Sequence, residues 1–239
     1  MAAADLLQPG TIWRLLTAVN GYSRPQGNGL ATQAWAGRHL QILEPPVGPG
    51  RLRVRLLDDG YPCWLEPTAL LGAAVAAAAP RPALLSGDAI QRRLPTVLAF
   101  AGAARQQRNT YLWGGSLGPD YDCSGLVQRA YASAGIWIPR DAYLQERFCQ
   151  PVAVRPGVLH ALQPGDLIFF GPPRRCTHVG LHLGGGRYLH SSGCEHGRDG
   201  LGIDDLAPNN PDPVARHYRS QLRGAGRVMR CHDGSPLPA

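Results

Sequence analysis

The stretch from Cys176 to Ser192 constrains the fold most, because two alternating runs flank Gly184-Gly185-Gly186. Cys176-Thr177-His178-Val179-Gly180-Leu181-His182-Leu183 has the period of a strand, and Arg187-Tyr188-Leu189-His190-Ser191-Ser192 reads as its return. The glycines between them predict a hairpin. With a three-residue loop, Leu183 pairs with Arg187 and His190 lies opposite Gly180. His190 then becomes the same-face diagonal neighbour of His178, roughly 7–8 Å away between backbones, a gap two imidazoles can span. A slip of one residue would turn His190 to the opposite face, so this pairing is conditional on register. His182 has the parity of His178 and is either a second candidate partner or a satisfied surface histidine.

A second constraint lies upstream, at Asp122-Cys123-Ser124-Gly125. Leu126, Val127, Ala130, Tyr131 and Ala134 recur at helical spacing, and Gly135 follows as a left-handed C-cap residue. Cys123 therefore opens a helix, where exposed N–H groups and the positive end of the macrodipole favour a thiolate. A lone cysteine is more often a buried apolar filler. Its polar neighbours, and the approach Tyr111-Leu112-Trp113-Gly114-Gly115, point to a nucleophile instead. The order cysteine on a helix, then two histidines on a sheet, is that of a papain-like site: Cys123 attacks, His178 serves as base and acid, and His190 orients His178. The Cys123 backbone N–H is placed to stabilise an oxyanion.

The local words also resemble a family. Tyr111-Leu112-Trp113-Gly114-Gly115, Asp122-Cys123-Ser124-Gly125-Leu126, Pro139-Arg140-Asp141-Ala142, Pro164-Gly165-Asp166-Leu167-Ile168-Phe169-Phe170, His178-Val179-Gly180-Leu181 and Tyr188-Leu189-His190-Ser191-Ser192 are similar, in order, to the NlpC family of bacterial cell-wall cysteine peptidases. The likeness covers about residues 96 to 232. It is closer still to the cyanobacterial-type γ-D-glutamyl-L-diamino acid endopeptidases, which carry an N-terminal bacterial SH3-like domain. The resemblance implies a third catalytic residue at His190 and the Tyr111 hydroxyl as second oxyanion donor, although Tyr111 reads equally well as core. It implies the substrate L-Ala-γ-D-Glu-meso-diaminopimelate, cut after D-Glu, with the free amino terminus read by Asp141 and by Tyr61 with Asp58 or Asp59. Asp58 and Asp59 by themselves read as a solvated turn. Asp122 and Ser124 complete the implied substrate-binding set, with capping of the Cys123 helix as the alternative for Asp122. Ala142 stands where some relatives carry serine.

Residues 1–72 are rich in short runs punctuated by Gly and Pro. Trp13–Leu16, His39–Leu43 and Leu52–Leu56 read as strands. Asp58-Asp59-Gly60 makes a turn into Tyr61-Pro62-Cys63-Trp64-Leu65, which resembles the tryptophan-bearing strand of SH3-like barrels. The expected class is α+β: an SH3-like β-barrel over 1–72, a linker and short helix over 73–95, and a papain-like peptidase domain over 96–239, its Cys-bearing helix packed on an antiparallel sheet. Ser86 caps a short helix through Leu94, and Pro95 opens a second reaching about Gln107.

Composition narrows the function further. The 239 residues are 44% hydrophobic and carry a net charge of +7, yet all 24 cations are arginine, and no basic cluster interleaves with aromatics. Nucleic acid is not an expected partner. The start lacks the basic and apolar regions of a secretory signal, and the apolar run from Ala69 to Ala79 falls short of a span. A cytoplasmic site and six reduced cysteines follow as expectations. Cys194-Glu195-His196 and Cys231-His232 are faint metal cues read as incidental, and no cofactor is expected. The reading is a cysteine endopeptidase of muropeptide turnover and recycling. Its rivals are an N-acetylmuramoyl-L-alanine amidase, a non-catalytic peptidoglycan-binding module and a lipid acyltransferase.

Overall fold

The computed structural model describes residues 1–236 except 47, 49 and 156, so the last three residues of the expected 96–239 domain lie outside it. The N-terminal part is built from β1 (Ile12–Leu15), β2 (Val19–Tyr22), β3 (Leu30–Ala34), β4 (His39–Glu44), β5 (Leu52–Leu56), β6 (Pro62–Leu65) and β7 (Ala74–Ala76). They form one antiparallel sheet in the order β3-β2-β6-β5-β4-β1-β7. Alternation decides which side chains go inside: Leu52, Val54 and Leu56 of β5 join Leu40, Ile42 and Leu15 in a fully buried core. Strands β2 and β3 escaped sequence reading because Asn20, Gly21 and Gln33 dilute their apolar content. β7 pairs with β1 from within the segment expected to be linker.

The C-terminal part contains α1 (Gly87–Gln106), α2 (Cys123–Ser133), α3 (Ala142–Phe148), β8 (Gln150–Val152), β9 (Leu167–Phe170), β10 (His178–Gly184), β11 (Arg187–Ser192), β12 (Gly200–Asp205), α4 (Pro213–Ser220) and β13 (Leu222–Arg227). Its sheet runs β12-β11-β10-β9-β13-β8. The class is α+β, as the patterning implied. No helix among the described residues is long and apolar enough to cross a membrane.

Where two helices were expected around Pro95, α1 is continuous. An interior proline costs on the order of 3 kcal/mol. The compensation is the stripe Ile90, Leu94, Val97, Ala101 and Ala104, which stays in phase across Pro95 and is buried against the α2 face of the sheet. Ser86 caps the start by accepting from Ala89 N–H at 3.3 Å.

Both faces of the second sheet are covered. Leu167, Phe169, Val179, Leu181 and Leu189 pack with α1 and α2, whereas Ile168, Phe170 and Tyr188 pack with Val214 and Tyr218 of α4. The period-2 rule thus sends His178 and His190 to the α4 face and Val179 to the α2 face.

The two parts are joined by polar contacts unusual for their depth. Arg38, fully buried, donates to Asp58 at 3.1 Å and to Asp59 at 2.6 Å. Asp59, equally buried, also accepts from Gln128 of α2 at 2.7 Å. Trp35 stacks on Trp137 with centroids 5.3 Å apart, and Ser116 exchanges hydrogen bonds with the Gln33 backbone. Truncating one partner of a buried pair leaves an uncompensated charge, which costs about 3–5 kcal/mol. Asp59→Ala is therefore expected to lower unfolding free energy by about that amount in urea titrations, whereas the more exposed Glu66→Ala should lose less than ~1 kcal/mol.

Candidate active site

Cys123 is placed by capping. Asp122 is the N-cap of α2 and accepts from Gly125 N–H at 2.6 Å, which makes Cys123 the first helical residue. The same carboxylate accepts from Gly114 N–H at 2.9 Å and from Arg140 at 2.7 and 3.0 Å. Gly125 has no room for a side chain, since a Cβ there would collide with the Gly115 carbonyl oxygen. At the far end, Gly135 N–H bonds Ala132 O and Ile136 N–H bonds Tyr131 O, the two bonds of a Schellman motif.

The electrostatics differ from those expected for a helix-start thiolate. Burial, and then the charge of Asp122, push the Cys123 thiol up to about 12, against the opposing pull of Val179 N–H and Arg140. The residue that caps the helix is itself an anion, and it offsets the macrodipole at the position the thiolate would occupy. Burial and the neighbouring His190 hold His178 well below its ordinary 6.5. Both shifts favour the uncharged forms, thiol at Cys123 and imidazole at His178.

The hairpin register is the expected one around the histidines. Leu181 pairs with Leu189 and His182 with Tyr188, which continues to His190 opposite Gly180. Nearer the loop the register shifts, so that Gly184 rather than Leu183 faces Arg187. The turn is then only Gly185-Gly186, both with positive φ (61° and 77°), as a two-residue primed turn requires. His178 Nε2 and His190 Nδ1 stand 2.8 Å apart.

Asp204, absent from the sequence reading, extends the chain of contacts. It lies on β12, where His190 pairs with Gly202, and its carboxylate meets His190 Nε2 at 2.6 Å. Arg198 grips the same carboxylate at 2.7 and 2.9 Å. These contacts fix the tautomers. An ionised Asp204 can only accept, so His190 donates from Nε2 and accepts at Nδ1. His178 must then donate from Nε2, leaving its Nδ1 free to accept a proton. The alternation of Gly200-Leu201-Gly202-Ile203-Asp204-Asp205 was the available signal for a strand carrying an inward carboxylate. Tyr218 of α4 stacks on the His178 ring at 4.0 Å and bonds Ser192 through its hydroxyl.

A cleft of about 440 Å³ opens beside Cys123, lined by residues of both parts, among them Tyr61, Tyr111, Asp122, Ser124, Asp141 and Arg175. The Tyr61 hydroxyl donates to Asp141 at 3.3 Å across the junction. Burial raises the Asp141 carboxyl, with Arg140 opposing. Tyr111 lies in the cleft, and its hydroxyl has no hydrogen-bond partner among the described residues. Ser124 lines the cleft but is tied to Arg140 at 2.9 Å. Asp122 caps and positions, its oxygens occupied by protein donors.

Two of the implied substrate readers are elsewhere. Asp58 and Asp59 do not line the cleft; Arg38 and Gln128 consume their carboxylates in the junction. A sequence cannot show a cation twenty residues upstream folding onto a turn. His182 is not the orienter either. It is buried, with Nδ1 2.8 Å from the Gln163 carbonyl and Nε2 accepting from Gly186 N–H, a brace for the hairpin loop. All six cysteines are unbonded, and no group of metal-ligating side chains occurs among the described residues.

Comparison with known proteins divides the chain into two matched regions. Residues 108–211 match the NlpC/P60 family, and residues 21–70 match the bacterial dipeptidyl-peptidase SH3 domain. The chain is 38% identical over 131 residues to the bifunctional muramidase/DL-endopeptidase CwlT of Bacillus subtilis, covering 53% of this chain and 34% of that protein. It is 41% identical over 122 residues to a gamma-D-glutamyl-L-lysine dipeptidyl-peptidase of Bacillus cereus, covering 50% and 32%. The chain thus spans about a third of the length of these curated relatives. A crystal structure of an NlpC/P60 family protein from Bacillus cereus aligns with a TM-score of 0.45 at 23% identity, over 92% of this chain and 64% of that one. With a bacterial SH3 domain, a cysteine-bearing helix and a histidine hairpin in this order, the chain carries an NlpC/P60 domain over residues 108–211 behind an N-terminal bacterial SH3 domain.

Proposed function

We propose that the protein is a cysteine endopeptidase that hydrolyses the γ-D-glutamyl-L-diamino acid bond of murein peptides whose L-Ala nitrogen is free. The observation that carries this reading is the meeting of Tyr61 and Asp141 in the Cys123 cleft. A half-buried carboxylate with a phenol beside it suits an ammonium, and its place in the cleft suits the amino end of a short acyl segment. The Bacillus cereus relative, named a gamma-D-glutamyl-L-lysine dipeptidyl-peptidase, supports the same bond type. A free amino end is a property of peptides already released from the sugar, which favours a role in recycling, within the cytoplasm, over cleavage of intact wall.

The residues present perform the reaction as follows. His178 Nδ1 takes the thiol proton as Cys123 Sγ attacks the γ-carbonyl carbon. Because the pair rests neutral, proton transfer accompanies attack. The resulting imidazolium is stabilised through His190 by Asp204. The oxyanion is met by Cys123 N–H and the Tyr111 hydroxyl. His178 then protonates the departing amine, and water hydrolyses the thioester with His178 again as base.

Cys123→Ala is expected to keep the fold and abolish cleavage of L-Ala-γ-D-Glu-meso-diaminopimelate, followed by mass analysis of products; retained activity refutes the mechanism. Acetylating the L-Ala nitrogen removes the charge Asp141 would bind. Loss of two charge-assisted contacts should lower kcat/KM by at least about two orders of magnitude, and Asp141→Asn should shrink that gap. Equal rates on free and capped peptides would point to a general wall hydrolase.

Asp204→Asn should lower kcat by at least about tenfold with KM little changed, since the amide confuses the tautomers that leave His178 Nδ1 free. Acid should also destabilise the fold. The His178 and His190 pKa values lie below their ordinary 6.5, so below that pH the unfolded chain binds more protons than the folded one. Their contribution is complete above 6.5 and is lost as pH falls toward the folded values. Thermal melts should show Tm dropping below pH 6.5, and less steeply in His178→Gln.

A further inference from the structure

The charges of the cleft do not all cancel. Its lining holds two carboxylates, Asp122 and Asp141, and two guanidinium groups, Arg140 and Arg175. Asp122 and Arg140 neutralise each other at 2.7 Å, and Arg140 spends its remaining donors on Ser124, Thr32 and the Gly115 carbonyl. Asp141 and Arg175 are left. They form no ion pair with each other, and the Arg175 guanidinium meets no carboxylate among the described residues. Arg175 is nonetheless held, its guanidinium carbon lying 4.0 Å over the centroid of the Tyr143 ring, itself part of the cleft wall. A cation stacked on an aromatic face keeps its edge N–H groups free for a planar anion.

We infer that Arg175 binds the free α-carboxylate of the D-glutamyl residue on the acyl side of the scissile bond. This rests on the peptidase reading above and deepens it. A γ-linked dipeptide unit carries an ammonium at one end and an unreacted carboxylate beside its second residue, one charge of each sign. The cleft offers one unpaired group of each opposite sign. Arg175 shares the cleft wall with Asp141, the residue proposed above for the amino end of the acyl segment. It precedes Cys176 and Thr177, cleft residues that lead directly into His178. Two opposite charges held apart read both the length and the direction of the bound segment, which an ammonium reader alone would not do.

The test compares L-Ala-γ-D-Glu-meso-diaminopimelate with the same peptide bearing an α-carboxamide on the glutamyl residue. A third peptide, with L-Lys replacing diaminopimelate, controls for carboxylates beyond the scissile bond. The wild-type chain should favour the acid over the amide roughly ten- to hundredfold in kcat/KM. Arg175→Gln should remove that preference by slowing the acid alone, with the amide unchanged. Arg175→Lys should restore part of the preference. A wild-type ratio near one, or equal losses on acid and amide in Arg175→Gln, overturns the assignment. If Arg175→Gln instead removes a preference for diaminopimelate over lysine, Arg175 reads the leaving side and the assignment is wrong. Failure of the wild type to cleave any of the three overturns the peptidase reading and this inference with it.

Discussion

The buried pair between Asp122 and Arg140 is the contact on which the rest of the site depends. One carboxylate starts α2, closes the Gly114 turn and receives a guanidinium in two hydrogen bonds, while that guanidinium reaches Thr32 of the N-terminal sheet. A pair this deep gains little net stability over an apolar substitute, because desolvating two ions costs nearly what their attraction returns. Its value is positional. Cys123 and Ser124 follow Asp122 directly, and Asp141 follows Arg140, so one interaction sets Cys123 and Asp141 at a fixed separation.

The same pair sets the chemistry of the thiol. A neutral N-cap such as serine would leave the helix N-terminus free to favour a thiolate. The carboxylate of Asp122 opposes it, and burial acts in the same direction. The site therefore relies on its base. The tautomer of His178 is dictated from Asp204 through His190, with Tyr218 against its ring, while the hydrogen bonds from His190 and Arg198 hold the Asp204 carboxyl below its ordinary value against the opposing effect of burial.

Local patterns were legible in the sequence, and long-range pairings were not. The start of α2, its Schellman end and the face shared by His178 and His190 are consequences of period and turn chemistry within a few residues. The deviation at Gly184 arose because a two-glycine primed turn fits strand twist better than a three-residue loop. Asp58 and Asp59 were misplaced because their partner, Arg38, comes from a different strand connection and Gln128 from a different part of the chain. Asp204 was missed for the same reason: nothing local marks a carboxylate as facing a histidine fourteen residues away. The state of the thiol needed burial and a neighbouring charge, neither of which spacing reveals.

The junction between the two parts explains why the N-terminal sheet is more than a tether in this architecture. Tyr61 enters the cleft from the turn whose preceding aspartates are clamped by Arg38, and Asp59 Oδ1 also accepts from Tyr61 N–H at 3.2 Å. Those carboxylates, withdrawn from any substrate, hold the residue that faces Asp141. Gln128 ties the same turn to the helix that begins at Cys123. The position of the phenol relative to the thiol thus passes through two buried side-chain contacts and one helix, all short and rigid. The proposed reading of the amino end of a dipeptide unit needs that rigidity, because a shift of about 1 Å in a positioning group is enough to spoil reactive alignment.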